Sequence, residues 1–133
     1  MNNPSKHLGL ALFLGASAGG AMRILVDSLL TGHTLGGVSV STIVVNVTGA
    51  FLLGALISTW TNRRQQNPKW NNYKIIFGTG TLGGYTTYSG FALAIAREFT
   101  LAAWGSGLLT VLLGLLAARL GWVASTAVMR SRR

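Results

Sequence analysis

Four apolar stretches, each long enough to cross a lipid bilayer as a helix, follow one another along this 133-residue chain. They cover about residues 8–30, 38–60, 73–96 and 101–123, with short connections between them. A helix of roughly 20 mostly apolar residues crosses the hydrocarbon core of a membrane. The sequence therefore predicts an all-α fold with a single integral membrane domain, residues 1–133, and four transmembrane helices.

Charged residues make up only 10% of the chain, and Asp27 and Glu98 are its only acidic residues. A soluble domain usually carries about 25% charged residues. The net charge of +9 would suit a nucleic-acid-binding protein, but the basic residues lie at the ends of apolar stretches and form no nucleic-acid-binding motif. We therefore expect a lipid bilayer around the chain and no nucleic acid as a partner.

The first apolar stretch resembles a secretory signal peptide, because Lys6 precedes it and Ala16–Ala18 imitates a cleavage site. The apolar character continues past that site to Leu30. A complete transmembrane helix explains this length better than a cleaved leader does.

Basic residues are distributed unevenly between the two sides that four crossings create. The side of the termini and of the second connection holds Lys6, Arg63, Arg64, Lys69, Lys74, Arg130, Arg132 and Arg133. The other side holds Arg97, and also Arg23 if that residue reaches the interface. Since positively charged loops stay in the cytoplasm, both termini are predicted to be cytoplasmic and the chain is predicted to insert in one orientation.

Catalytic groupings are not visible in the sequence. The chain has no cysteine, and neither His7 nor His33 has a carboxylate or serine at a useful spacing. The two acidic residues fall in separate parts of the chain and make no carboxylate pair. We therefore expect a protein that is not an enzyme.

Polar residues inside the apolar stretches are functional candidates, because they are costly in hydrocarbon. Asn46 lies centrally in the second stretch, and the third contains GTGTLGGYTTYSGF, residues 78–91. Its adjacent glycines predict a helix break near Gly83–Gly84, which a membrane tolerates only where the break is buried in protein or lines a polar cavity. Freed carbonyls can bind a cation, and freed amides can face an anion. Tyr88 and Phe91 share one helical face, and their ring edges are partly positive. The alternative interpretations are that the Asn46 amide forms a hydrogen bond between helices and that Tyr88 and Phe91 are a packed aromatic pair.

Three motifs occur in a fixed order along the chain. The first stretch carries GASAGGAMR, which ends at Arg23, the second carries TIVVNVTGAFLLG at residues 42–54, and the third carries GTGTLGGYTTYSGF. In this combination the sequence resembles the Fluc/CrcB family of small fluoride channels. The fourth stretch is consistent with that family in length and position.

This resemblance implies a dual-topology dimer of two antiparallel subunits with two pores at their interface. Fluoride would pass through them passively and selectively, out of the cytoplasm across a bacterial-type cell membrane, and fluoride toxicity would be relieved. The residues that match the fluoride pathway are Arg23, Asn46, Thr87, Tyr88, Ser89, Phe91 and Thr110. The resemblance also implies a structural sodium ion held by backbone carbonyls that match Gly83 and Thr86.

Several positions depart from the family's usual pattern. Tyr88 replaces a phenylalanine, Gly90 a threonine, Ala94 an acidic residue and Ser106 a tyrosine, so the polar track is thinned. Members that form homodimers insert both ways, which the charge bias of this chain opposes. Both features favour a heterodimer with an inverted paralogue. A self-sufficient homodimer and a non-conducting structural subunit remain alternatives. A small multidrug transporter would need a glutamate in the first helix, which is absent.

Overall fold

The computed structural model describes residues 4–63 and 69–131. Helix α1 spans Pro4–Leu29 and is followed by a hairpin of strands β1, Thr34–Leu35, and β2, Val38–Ser39. Helix α2 runs over Val40–Arg63. The third crossing consists of α3 (Lys69–Lys74), a π-helix (Ile75–Leu82), α4 (Gly83–Tyr85) and, after three non-helical residues, α5 (Ser89–Glu98). Helix α6 covers Leu101–Ser131.

Three of these helices are long and apolar enough to cross a membrane, within His7–Leu29, Val40–Thr61 and Leu101–Ser131. The third crossing is interrupted and is not among these three helices. The predicted all-α fold with four membrane helices, the third of them broken, is confirmed, and the chain is a membrane protein. Arg64, Arg132 and Arg133, which contributed to the predicted charge bias, lie outside the described residues.

Helix α6 extends further than the sequence suggested. Its 31 residues end at Ser131, whereas the apolar stretch was expected to end near residue 123. Residues 122–131 contain neither glycine nor proline, so nothing in the sequence stops the helix. At about 1.5 Å per residue the helix is longer than the roughly 30 Å hydrocarbon core, and its C-terminal turns extend beyond it.

The connection between α1 and α2 forms a short antiparallel hairpin. Thr34 pairs with Ser39, and Leu35 pairs with Val38. Gly36 and Gly37 form the turn with φ values of 55° and 83°. These left-handed conformations suit a two-residue hairpin turn and favour glycine. We call this side of the subunit the hairpin end and the opposite side the termini end.

Helix α1 packs in parallel against the third crossing. Gly19 lies against the Thr81 carbonyl, and Gly84 lies against the Ala16 carbonyl, so closely that a Cβ atom at either glycine would overlap a backbone oxygen. Small residues permit this approach, which is a common basis of helix association in membranes.

Helix α2 packs in parallel against α6 by the same means. Gly54 lies against the Ala118 carbonyl, and Gly121 lies against the Phe51 carbonyl. The chain therefore folds into two parallel helix pairs, which run in opposite directions because the chain alternates between the two ends. The third crossing lies antiparallel to α2, with Gly78 near Leu53 and Gly49 near Thr86.

Candidate functional site

The third crossing loses its helical geometry at Thr86–Tyr88. Thr86 is extended, with φ −78° and ψ 159°, and Tyr88 returns to helical values of −88° and −36°. The break predicted near Gly83–Gly84 begins two residues after Gly84, at Thr86, since Gly83 is helical with φ −65° and ψ −34°. Glycine permits a break without requiring one, and Gly84 serves the close contact with α1 instead.

The side-chain amide of Asn46, on α2, binds the backbone of the break in two places. Its Nδ2 donates a hydrogen bond to the carbonyl of Thr87 at 2.9 Å, and the N–H of Thr87 donates to its Oδ1 at 2.8 Å. The amide thus takes the place of a neighbouring peptide group. Because buried backbone groups are nearly always paired, this contact compensates for hydrogen bonds that the broken helix cannot make.

Backbone carbonyls lose their usual helical donors at the break, and those of Gly83 and Thr86 are among them. In a continuous helix the N–H of Thr87 would bind the carbonyl of Gly83, and the N–H of Gly90 would bind that of Thr86. Thr87 instead donates to Asn46, and Gly90 donates to the Thr87 hydroxyl at 3.2 Å. The carbonyl oxygens of Gly83 and Thr86 are therefore released from the helical pattern.

These released carbonyls belong to the residues that the resemblance matched to a structural sodium ion. Both residues line a cavity of about 250 Å³ between α2 and the third crossing. Hard cations prefer oxygen ligands, so the two carbonyls fit part of a cation's donor set. Arg23 also reaches this point, where its Nη1 donates to the Thr86 carbonyl at 3.3 Å.

A second cavity, of about 290 Å³, opens beside the break, and we call it the break cavity. The residues that line it are Asn46, Thr86, Thr87, Tyr88, Phe91, Thr110, Val111 and Gly114. The rings of Tyr88 and Phe91 have centroids 6.1 Å apart and planes inclined at 42°. Tyr88 is 81% exposed, so its ring projects away from the subunit.

The hydrogen bonds decide which side chains have a donor left for an anion in this cavity. The hydroxyl of Thr110 donates to the carbonyl of Ser106 at 2.7 Å, and the hydroxyl of Ser106 donates to the carbonyl of Ala102 at 2.8 Å. Both protons are thus directed to the backbone of α6. Asn46 Nδ2 carries a second hydrogen. The Thr87 hydroxyl accepts from Gly90 and lies 3.3 Å from the Ser89 hydroxyl, where either oxygen can be the donor.

The break cavity brings together five of the seven predicted pathway residues, namely Asn46, Thr87, Tyr88, Phe91 and Thr110. Ser89 is absent from the described lining, and its hydroxyl oxygen lies 3.3 Å from the hydroxyl oxygen of Thr87. Arg23 contacts the carbonyl of Thr86 without lining the cavity. The roles of these residues in conduction stay predictions.

Other contacts around the break were not predicted. The hydroxyls of Thr48 and Tyr85 lie 3.0 Å apart and join α2 to the helix before the break. Gly49 lies against the methyl group of Thr86, where a Cβ would overlap it. Gly49 belongs to the motif in the second stretch, so that motif carried a signal for close packing that we did not use.

Residues 10–122 match the family described as CrcB-like protein, Camphor Resistance (CrcB). The chain belongs to this family. It is 35% identical to the fluoride-specific ion channel FluC 2 of Leifsonia xyli over 128 residues. This match covers 93% of this chain and 86% of that protein. The FluC of Gloeothece citriformis is 37% identical over 83 residues, 62% of this chain and 64% of that protein.

A further relative is the fluoride-specific ion channel FluC 1 of Yersinia pestis, with 35% identity over 107 residues, 78% of this chain and 79% of that protein. The resemblance read from the sequence motifs is thereby confirmed. The relatives are named as ion channels rather than enzymes, which is consistent with the absence of a catalytic grouping in the sequence.

Proposed function

We propose that this chain is one subunit of a passive, fluoride-selective channel through which fluoride leaves the cytoplasm. The break cavity is the observation that carries this proposal. In a largely apolar protein it gathers an amide from α2, two aromatic rings from the third crossing, and threonine hydroxyls from the third crossing and α6. Its lining contains no described charged side chain that would hold an anion too tightly to release it.

Selection of fluoride is a problem of dehydration, because this small anion holds its water tightly. A pore must replace that water with several donors at once. Asn46 Nδ2 and the Thr87 hydroxyl supply hydrogen-bond donors, and the edges of Tyr88 and Phe91 supply partial positive charge. A negative potential inside the cell then drives the anion outward, at about 2.3 kcal/mol per charge for 100 mV.

A second, inverted subunit completes the proposed pathway. Tyr88 projects from the subunit, and apolar side chains along α1 such as Phe13, Ile24 and Leu25 are exposed, so the isolated chain leaves surface for a partner or for lipid. The charge bias of the loops favours a single insertion with cytoplasmic termini. Relatives carry the numbered names FluC 1 and FluC 2, which suits paired genes and a heterodimer.

We further propose that sodium has a structural place between the two subunits. The carbonyls of Gly83 and Thr86 would hold it together with their counterparts in the partner. The bound ion would supply positive charge at the centre of the dimer. This proposal rests on the two carbonyls that the break releases.

Fluoride efflux from liposomes, followed with a fluoride electrode and with chloride efflux as the control, tests the function. Efflux of fluoride but not chloride from the chain alone supports a homodimeric channel. If the folded chain alone is silent and efflux appears with an inverted paralogue, the heterodimer is supported. Silence in both preparations contradicts the channel proposal and leaves a structural subunit. Tags in both loops test the orientation, and equal populations of the two orientations would contradict fixed insertion.

A further inference from the structure

A third concavity lies at the hairpin end, outside the break cavity. Its volume is about 230 Å³, and we call it the outer pocket. The residues that line it come from the hairpin and from α5, and they are Thr34, Gly37, Ser39, Gly90, Leu93, Ala94 and Arg97. Nearly half of this lining is polar, unlike the mainly apolar lining of the break cavity.

Arg97 is the only charged side chain in the described lining of the outer pocket. Of the two acidic residues in the chain, Glu98 directly follows Arg97, and Asp27 accepts a hydrogen bond from Ser41, whose hydroxyl lies 2.7 Å from that of Ser39. The pocket therefore presents a positive charge without a carboxylate beside it in the described lining.

The outer pocket adjoins the break. Gly90 lines the pocket, and its N–H donates to the hydroxyl of Thr87, which lines the break cavity. Arg97 follows Gly90 by seven residues on the same helix, a rise of about 10 Å. This separation is about one Debye length at 0.1 M ionic strength, so the charge on Arg97 still acts at the break.

We propose that the outer pocket is a collecting site for small monovalent anions, and that Arg97 sets its preference for anions over cations. The pocket is large enough to hold an ion with water around it, so an anion enters without losing its hydration. A concave, positively charged surface raises the local concentration of anions. This inference rests on the proposed channel function only where the collected anion is fluoride.

The absence of cysteine allows a test that does not depend on conduction. In full-length Thr34→Cys protein in liposomes, the introduced thiol is the only one, and its reaction rates with an anionic and a cationic methanethiosulfonate are compared. Removing Arg97 in a Thr34→Cys/Arg97→Gln protein should lower the anionic-to-cationic rate ratio by about fivefold at low ionic strength, and Arg97→Lys should preserve it. Added salt should diminish the difference.

Arg130→Gln provides the matched control, because it removes the same charge from the termini end, in a different pocket. It should leave the rate ratio of the thiol introduced at position 34 unchanged. Three outcomes would each overturn the proposal. The rate ratio could be the same with arginine and glutamine at position 97, Arg130→Gln could lower the ratio as much as Arg97→Gln does, or the thiol could react with neither reagent.

Fluoride efflux supplies the second measurement. We expect Arg97→Gln to slow fluoride efflux by about threefold at low ionic strength. In high salt the efflux rate of the variant should approach that of the unmodified protein. Unmodified protein that shows no efflux either alone or with an inverted paralogue contradicts the channel function, whereas the thiol measurement still decides the anion preference. Normal efflux with an altered rate ratio would show an anion site that does not limit transport.

Discussion

The two helix pairs of this protein use the same close packing but satisfy their backbone hydrogen bonds differently. In the α2–α6 pair both helices are continuous, and hydroxyl contacts join them: Ser58 to Thr126 at 2.9 Å and Thr59 to Ser125 at 2.8 Å, measured between side-chain oxygens. In the other pair, α1 packs against a crossing that is interrupted at Thr86–Tyr88. One pair therefore forms a scaffold, and the other contains the break.

The difference teaches that the break depends on a residue outside its own pair. Asn46 lies on α2, yet it binds the N–H and the carbonyl of Thr87. Within the third crossing, Thr87 also accepts from Gly90 and so begins α5. The continuous scaffold thus positions the amide that replaces the missing helical hydrogen bonds, which couples the stability of the site to the packing of α2.

The strongest test of this coupling is Asn46→Ala. It leaves the N–H and carbonyl of Thr87 without their partner, which should cost about 2–6 kcal/mol, since each unpaired buried group costs about 1–3 kcal/mol. We expect a lower thermal unfolding midpoint in detergent and loss of most fluoride efflux. Asn46→Asp keeps the acceptor for the Thr87 N–H and loses the donor, so its stability should be intermediate. An Asn46→Ala protein as stable as the unmodified one would break the comparison.

The scaffold pair is tested by Gly54→Ala, which places a methyl group against the Ala118 carbonyl. Separating α2 from α6 should cost about 1–3 kcal/mol, in the range of overpacked cores. The matched control is Gly114→Ala on α6, where no atom lies within 4 Å of the added Cβ. It should be neutral or stabilising by up to about 1 kcal/mol. Thermal unfolding compares the two, and equal midpoints would contradict the close approach.

A smaller effect is expected when only the start of α5 is weakened. Thr87→Val removes the hydroxyl that accepts from the N–H of Gly90, at a cost of about 1 kcal/mol. Fluoride efflux should fall as well, because the variant also deletes a donor in the break cavity. Thr87→Ser keeps the hydroxyl and should stay close to the unmodified protein in both measurements. If valine and serine behave alike, the hydroxyl has no such role.

The smallest expected effect concerns the hydroxyl contact between Thr59 and Ser125. A double-mutant cycle with Thr59→Val and Ser125→Ala should give a coupling energy of about 0.6 kcal/mol, the average for such contacts in membranes. Thermal unfolding of the four proteins measures it. Fluoride efflux should be unaffected, because neither residue lines the break cavity. A large loss of efflux would contradict the separation of the α2–α6 scaffold from the site.

Composition and hydropathy were sufficient for the fold class. Apolar stretches of this length can satisfy their backbone in a membrane only as helices, so four helices followed from the sequence. The positions of Asn46, Tyr88 and Phe91 within the motifs also pointed to one site, and these three residues line the same cavity. The motifs also predicted the family, which the match over residues 10–122 shows.

Only the tertiary structure decided where the third helix breaks and what holds it. The glycines at residues 83–84 suggested one place, but local flexibility does not determine which backbone groups find partners in neighbouring helices. Asn46 meets Thr87, 41 residues away, and Arg23 meets Thr86, 63 residues away. A break in a membrane lies where such distant side chains can satisfy it, and a local sequence pattern does not contain that information.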